Sequence, residues 1–161
     1  MAKPLEEQPL RPSVLDLLTG NHSPDQRRKG TQSEVQLRNS VMRDLENLLN
    51  TRYRVSAWPP TLGELERSIV NYGIPDFTGA NMSSRQERQL FRQLVEDALR
   101  HHEPRFISVR VEVIEPEDDT DRTLRFRIFA DLHAVPDPMP VAFDSQVDQS
   151  TNHIDVKPGR Q

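Results

Sequence analysis

A carboxylate and a guanidinium flank a proline in the run His102, Glu103, Pro104, Arg105, Phe106. Glu103 invites comparison with the general acid of a glycosidase. That chemistry needs a second carboxylate across a cleft, roughly 5 to 9.5 Å away, with one of the two held protonated. Arg105, two residues on, works against it, because a paired guanidinium favours the form of a carboxylate that has no proton to give. Recognition is the other chemistry open to the pair: a bidentate fork and an acceptor presented to a partner's helix ends or carboxylates. A third reading is an ion pair internal to the domain that fixes a corner, worth little if exposed. The acids Glu115, Glu117, Asp118, Asp119 and Asp121 form a solvated turn with no sequence tie to Glu103.

The histidines do not assemble a metal site by spacing. His101 and His102 are adjacent, so on a helix their side chains diverge by about 100°, and His133 and His153 stand at no ligand-like interval from them. Near a helix C-terminus they complement the macrodipole when protonated. The 6 glycines form no phosphate-cradling loop, and no Ser, His, Asp arrangement stands out. The lack of cysteine removes a thiol nucleophile, a thiolate metal site and a disulfide framework together. No cofactor and no metal are expected.

Elements that position the corner can be read on both sides of it. Ser33 with Gln36 makes a capping-box pattern, and Leu37, Val41, Leu45 and Leu48, widened by Met42 and Leu49, predict a helix over about 34–50. Thr61 with Glu64 opens a shorter helix through Leu65 and Ile69 that Gly73 can end. Tyr53 and Trp58 lie between these helices as core-closing aromatics. Ser84 with Glu87 caps a third helix with the face Leu90, Phe91, Leu94, Ala98, running to about His101 and stopped by Pro104. The period then changes to two: Ile107, Val109, Val111 and Val113 alternate on one strand, and Leu124, Phe126, Ile128 and Ala130 on the returning one. Val141, Phe143, Ser145 and Val147 alternate again, and Ile154 with Val156 predicts a last short strand. The fold class is α+β: about three helices packed on a small antiparallel sheet of three to four strands.

Residues 1–32 carry four prolines, the basic cluster Arg27, Arg28, Lys29 and few large apolar groups, which predicts a mostly disordered tail. Within it, Ser13 to Leu18, between Pro12 and Gly20, reads as a short helix near 13–19 that is unstable alone and docks either on the domain or on a partner. A single domain over 33–157 follows. A chain of 161 residues buries roughly two-thirds of its unfolded surface. The 34% hydrophobic content, 6% aromatic content and 13 prolines point to a small core with much loop around it. A formal charge of −4, from 21 basic and 25 acidic residues interspersed, argues against a nucleic-acid binder driven by counterion release, and Arg125 with Arg127 reads as a solvated strand face. No run approaches the ~18 apolar residues of a membrane span, and Met1 to Glu7 has no signal-peptide core, so no membrane insertion and a cytoplasmic location are expected.

Three segments in combination carry a resemblance: the corner Glu103-Pro104-Arg105, the run Arg43, Asp44, Leu45, Glu46, Asn47, Leu48, Leu49, Asn50, Thr51, Arg52, and the stretch Asn71, Tyr72, Gly73, Ile74, Pro75, Asp76, Phe77. Together they resemble the TssE family, small baseplate subunits of type VI secretion systems related to the lysozyme-like baseplate wedge proteins of contractile phages. The resemblance spans about 33–156. It implies a non-enzymatic assembly protein in which Glu103, Pro104 and Arg105 dock onto a bundle formed by the wedge proteins TssF and TssG. It further implies other baseplate subunits such as TssK as neighbours, six wedges around the tube, recruitment to a machine anchored in the inner membrane, and a part in starting sheath polymerisation. On this reading Arg105→Ala weakens wedge binding and leaves the thermal transition of the isolated domain nearly unchanged.

For the sheath step, the late strands from Val141 to Val156 present an edge to which a sheath subunit's strand can be added. The plainer reading is that they only complete the domain's own sheet. Two other functions remain to be separated from the first: a peptidoglycan glycosidase with Glu103 as general acid, and a baseplate protein of a phage tail or another contractile injection system.

Overall fold

The first long element forms where the apolar stripe demands it. Helix α1, Glu34–Asn50, has an acidic residue in its first turn and buries Leu37, Val41, Leu45, Leu48 and Leu49. In this computed structural model the described residues are 18, 34–53, 60–77, 84–115, 123–134, 137–148 and 151–159. Ser33, Trp58, most of the acidic turn and the 1–32 tail apart from Leu18 lie outside them. Leu18 itself is helical and exposed.

The expected second helix is instead two 3₁₀ pieces, Pro60–Arg67 and Ile69–Asn71, so the described residues hold two α-helices, one fewer than expected. Two local causes are visible. Leu62 leaves helical geometry at φ −108°, ψ 42°. Ser68 then accepts from the Val70 N–H at 3.3 Å and donates to the Leu65 carbonyl at 2.8 Å, drawing main-chain groups away from an α-helical ladder. Gly73 follows at φ +114°, where a Cβ would lie 2.3 Å from the Thr51 carbonyl oxygen. That close approach lets the Ile74 N–H reach Thr51 O at 3.0 Å and forms a parallel bridge between Arg52 and Ile74.

Helix α2, Arg85–His102, starts at Ser84, whose side chain makes no capping hydrogen bond, and ends in Arg100, His101 and His102. Its buried face is Phe91, Val95 and Leu99, which keeps Phe91 from the expected Leu90, Phe91, Leu94, Ala98 face and turns the rest of that face aside. Phe91 decides the rotation: it packs edge-on against Phe77 at 5.3 Å and Phe126 at 5.5 Å, which turns Val95 and Leu99 to the sheet. Leu90 is left 49% exposed.

The sheet has four strands, β1 Phe106–Ile114, β2 Leu124–Leu132, β3 Met139–Asp148 and β4 His153–Pro158, antiparallel in the order β1-β2-β3-β4. Alternation places Val109, Val111, Phe126, Ile128, Val141, Phe143, Ile154 and Val156 in one core with both helices. A register shift between Phe106 and Ser108 breaks the expected alternation at its start, so Phe106 packs on the core and Ile107 is 49% exposed. Helix α1 lies against β4 and α2 against β1, giving a helix layer on one face of the sheet. No helix among the described residues is long and apolar enough to cross a membrane.

Candidate functional site

Helix α2 delivers Glu103 to the corner as its C-cap residue, with the Glu103 N–H bonded to Leu99 O at 3.0 Å. The chain turns at Pro104, and the Phe106 N–H returns to Glu103 O at 3.2 Å. Arg105 folds back on the turn. Its Nε donates to Glu103 Oε1 at 2.7 Å, its Nη2 to Glu103 Oε2, and its main-chain N–H to Oε1 at 3.1 Å. Two more bonds reach α1: Nη2 to Asp44 Oδ2 at 2.8 Å and Nη1 to Ser40 Oγ at 3.3 Å. Burial acts to lower the Arg105 pKa, yet the hydrogen bonds and charges of Glu103 and Asp44 outweigh it and raise it above the ordinary value.

The Glu103 side chain is 6% exposed and that of Arg105 20%. A general acid must present its oxygen to a substrate, and both Glu103 oxygens are taken up by Arg105. The small apolar groove between Ile74–Phe77 and α2 is lined by Asp76 and Glu87 but not by Glu103. Neither the occupied oxygens nor this groove suits Glu103 as a glycosidase acid.

The second stretch singled out in the sequence closes over the same corner. His102 Nε2 pairs with the Asn71 carbonyl at 3.0 Å, which fixes it as a donor, and the His102 ring meets Tyr72 edge-on at 5.3 Å. Burial raises the Tyr72 pKa, and the carboxylates of Asp44 and Glu103 add to it while Arg105 opposes. Asp44, Tyr72, Glu103 and Arg105, from three separate segments, therefore share one electrostatic cluster. Sequence reading missed Ser40 and Asp44 as partners. One signal was available: the two are four apart on α1 and flank its buried stripe, and a polar residue there needs a bond.

Arg52, at the end of the upstream run, lies over the Phe77 ring at 4.6 Å and donates to the Asn152 carbonyl at 2.8 Å. Arg125 and Arg127 sit on the open face of the sheet, where Arg127 is paired with Asp144. His153 meets two carboxylates that sequence spacing did not connect to it: donor atoms of Glu46, His153 and Asp155 lie within 4.8 Å of one another at the surface, close enough for a divalent cation to bridge.

A family model described as baseplate wedge protein gp25 matches residues 35–137. The chain belongs to that family. Its fold is similar to that of a chain in a solved structure of the baseplate complex from the type VI secretion system, with a TM-score of 0.51 and 20% identity over 70% of this chain and 93% of that one. Among curated proteins there is no match. The wedge family is one of structural baseplate components, and the corner, with its charges bonded to each other, fits a structural role.

Proposed function

We propose that this chain is a TssE-like structural subunit of a type VI secretion baseplate. The observation that carries the reading is the convergence of Asp44, Tyr72 and Glu103-Pro104-Arg105 into one rigid, partly exposed corner. Such a corner suits docking because its side chains are held before a partner arrives, so little ordering entropy is lost on association. Pro104 is exposed, and the neighbouring 3₁₀ piece carries Ile69 at 88% exposure and Val70 at 45%. A helical bundle of TssF and TssG would meet an apolar rim around the exposed edge of the Arg105 and Asp44 pair. Six such subunits, with TssK among the neighbours, would surround the tube of a cytoplasmic machine recruited to the inner membrane. The likeness to a secretion baseplate chain favours this system over a phage tail. Co-expression of the chain with TssF and TssG is the direct test: a stable ternary complex is expected, and a chain that elutes alone would refute the assignment.

Sheath initiation is assigned to the edge strand β4. Deleting β4 would open the core, since Ile154 and Val156 belong to it. Val156→Pro is the sharper variant. By alternation from Ile154 its N–H faces away from β3, where a proline removes no ladder bond of the domain. The wedge complex should persist in this variant while sheath assembly fails, as counted by fluorescent sheath foci; normal sheath numbers would refute a part for β4 in sheath initiation.

A further inference from the structure

Among the described residues, a side chain from a helix bonds to the main chain at each edge of the sheet, and the two closures differ in kind. At β1, the Val111 N–H donates to Glu96 Oε2 at 3.3 Å. Glu96 is held by Arg92 at 3.0 Å and by Arg100, one turn on either side. At β4, the Ile154 N–H donates to Asn50 Oδ1 at 2.8 Å, and Asn50 Nδ2 donates back to Ile154 O at 2.8 Å. The second Nδ2 hydrogen goes to Glu46 O at 2.8 Å.

A carboxylate supplies acceptors only, so Glu96 satisfies an edge N–H and repels the carbonyl of any strand approaching there. The Asn50 amide supplies one donor and one acceptor, which is what the peptide group of a neighbouring strand supplies. An incoming strand can therefore take over both Ile154 bonds one for one, and the released amide is at the last residue of α1, where it is half-buried and can turn to water. Alternation turns the main-chain groups of Val156 outward as well, while Pro158 has no N–H to give and Gly159 N–H is already bonded to Ala142 O at 2.8 Å.

We propose that Asn50 is a placeholder for an added strand: it marks the Ile154–Val156 edge of β4 as the acceptor for an extended partner segment, while Glu96 closes β1. The inference rests on the strand-addition reading above and names the residue that governs it. The occupant is a partner strand bound through its main chain, with apolar residues at alternate positions to continue the Ile154 and Val156 face. Asn50 competes with that strand, so its removal favours addition.

The probe is a fluorescent peptide copying Val141–Asp148, which has the alternating pattern of a strand that pairs with β4. Anisotropy would compare the full-length chain with Asn50→Ala and Glu96→Ala, each checked for folding by circular dichroism. Asn50→Ala should bind about tenfold more tightly than wild type, with the Ile154 and Val156 amides gaining exchange protection on binding. Asn50→Asp, which keeps an acceptor for Ile154 N–H but sets a carboxylate against Ile154 O, keeps Asn50 testable if the alanine variant unfolds, and it too should bind more tightly than wild type. Equal or weaker binding by a folded Asn50 variant, no binding by it, or protection mapping to β1 would overturn the proposal. Tight peptide binding at β4 together with normal sheaths in Val156→Pro cells would keep the placeholder and refute sheath initiation, so the two failures are distinguishable.

Discussion

Arg105 holds five hydrogen bonds' worth of the corner together, and its removal is not a surface change. Without it the buried Glu103 carboxylate keeps only one main-chain donor, and Asp44 and Ser40 lose their bonds to the corner. Arg105→Ala should therefore destabilise the domain by roughly 2–4 kcal/mol, read as a lower midpoint in urea. That departs from the nearly unchanged transition expected of a lone Arg fork facing a partner. Adding Glu103→Ala should recover much of the loss, because the unpaired buried charge goes with it. His102 gives the corner a pH dependence. Burial lowers its pKa below the ordinary value, with His101 adding to the effect and the bond to Asn71 opposing it. The unfolded chain then binds a proton that the folded one refuses, so stability is full above about pH 6.5 and falls as pH drops from there towards the lower folded pKa. Thermal midpoints between pH 7.5 and 5 should fall less steeply for His102→Gln, which keeps a donor for Asn71 and does not titrate; an unchanged slope would count against a neutral, donating His102.

At the scale of elements, local pattern carried far where the structure is local. The bounds of α1, the stop of α2 at Pro104 and the alternation of four strands all follow from side-chain period and from one residue that cannot continue a helix. Long-range choices were not legible in the same way. Phe91 was read as part of the α2 face, but the burial of Val95 and Leu99 beside it was selected by Phe77 and Phe126, which lie on other elements. Asn50 reaches Ile154 across 104 residues and Arg105 reaches Asp44 across 61, and no periodicity encodes such pairs. The broken second helix falls between these cases, since Ser68 is local but its preference for its own turn competes with the capping pattern upstream. Two glycines in this region should behave oppositely. Gly73→Ala drives a Cβ into Thr51 O at a positive φ and should cost at least ~2 kcal/mol. Gly63 has open space and a backbone suited to alanine, so Gly63→Ala should stabilise by about 0.4–1 kcal/mol. Matching denaturation midpoints for the two variants would contradict this account of the segment.

For the whole molecule, the proposed roles give the corner and the β4 edge to two different partners. The corner lies where α2 meets β1 and α1, and the β4 edge is closed from the far end of α1 by Asn50. On that proposal one small domain docks on a wedge by one surface and keeps the other for a strand. Much of the corner's position was legible in the sequence, because a proline after a capped helix fixes a turn; its internal bonding was not, because that depends on where α1 comes to lie. The central claim is that the corner is a docking surface and not only an internal ion pair. Its most direct measurement is the affinity of the folded Glu103→Ala, Arg105→Ala double variant for the TssF–TssG complex, set against wild type at equal folded fraction. Docking predicts at least a tenfold loss of affinity, equivalent to about 1.4 kcal/mol. Unchanged affinity in a folded double variant would contradict it.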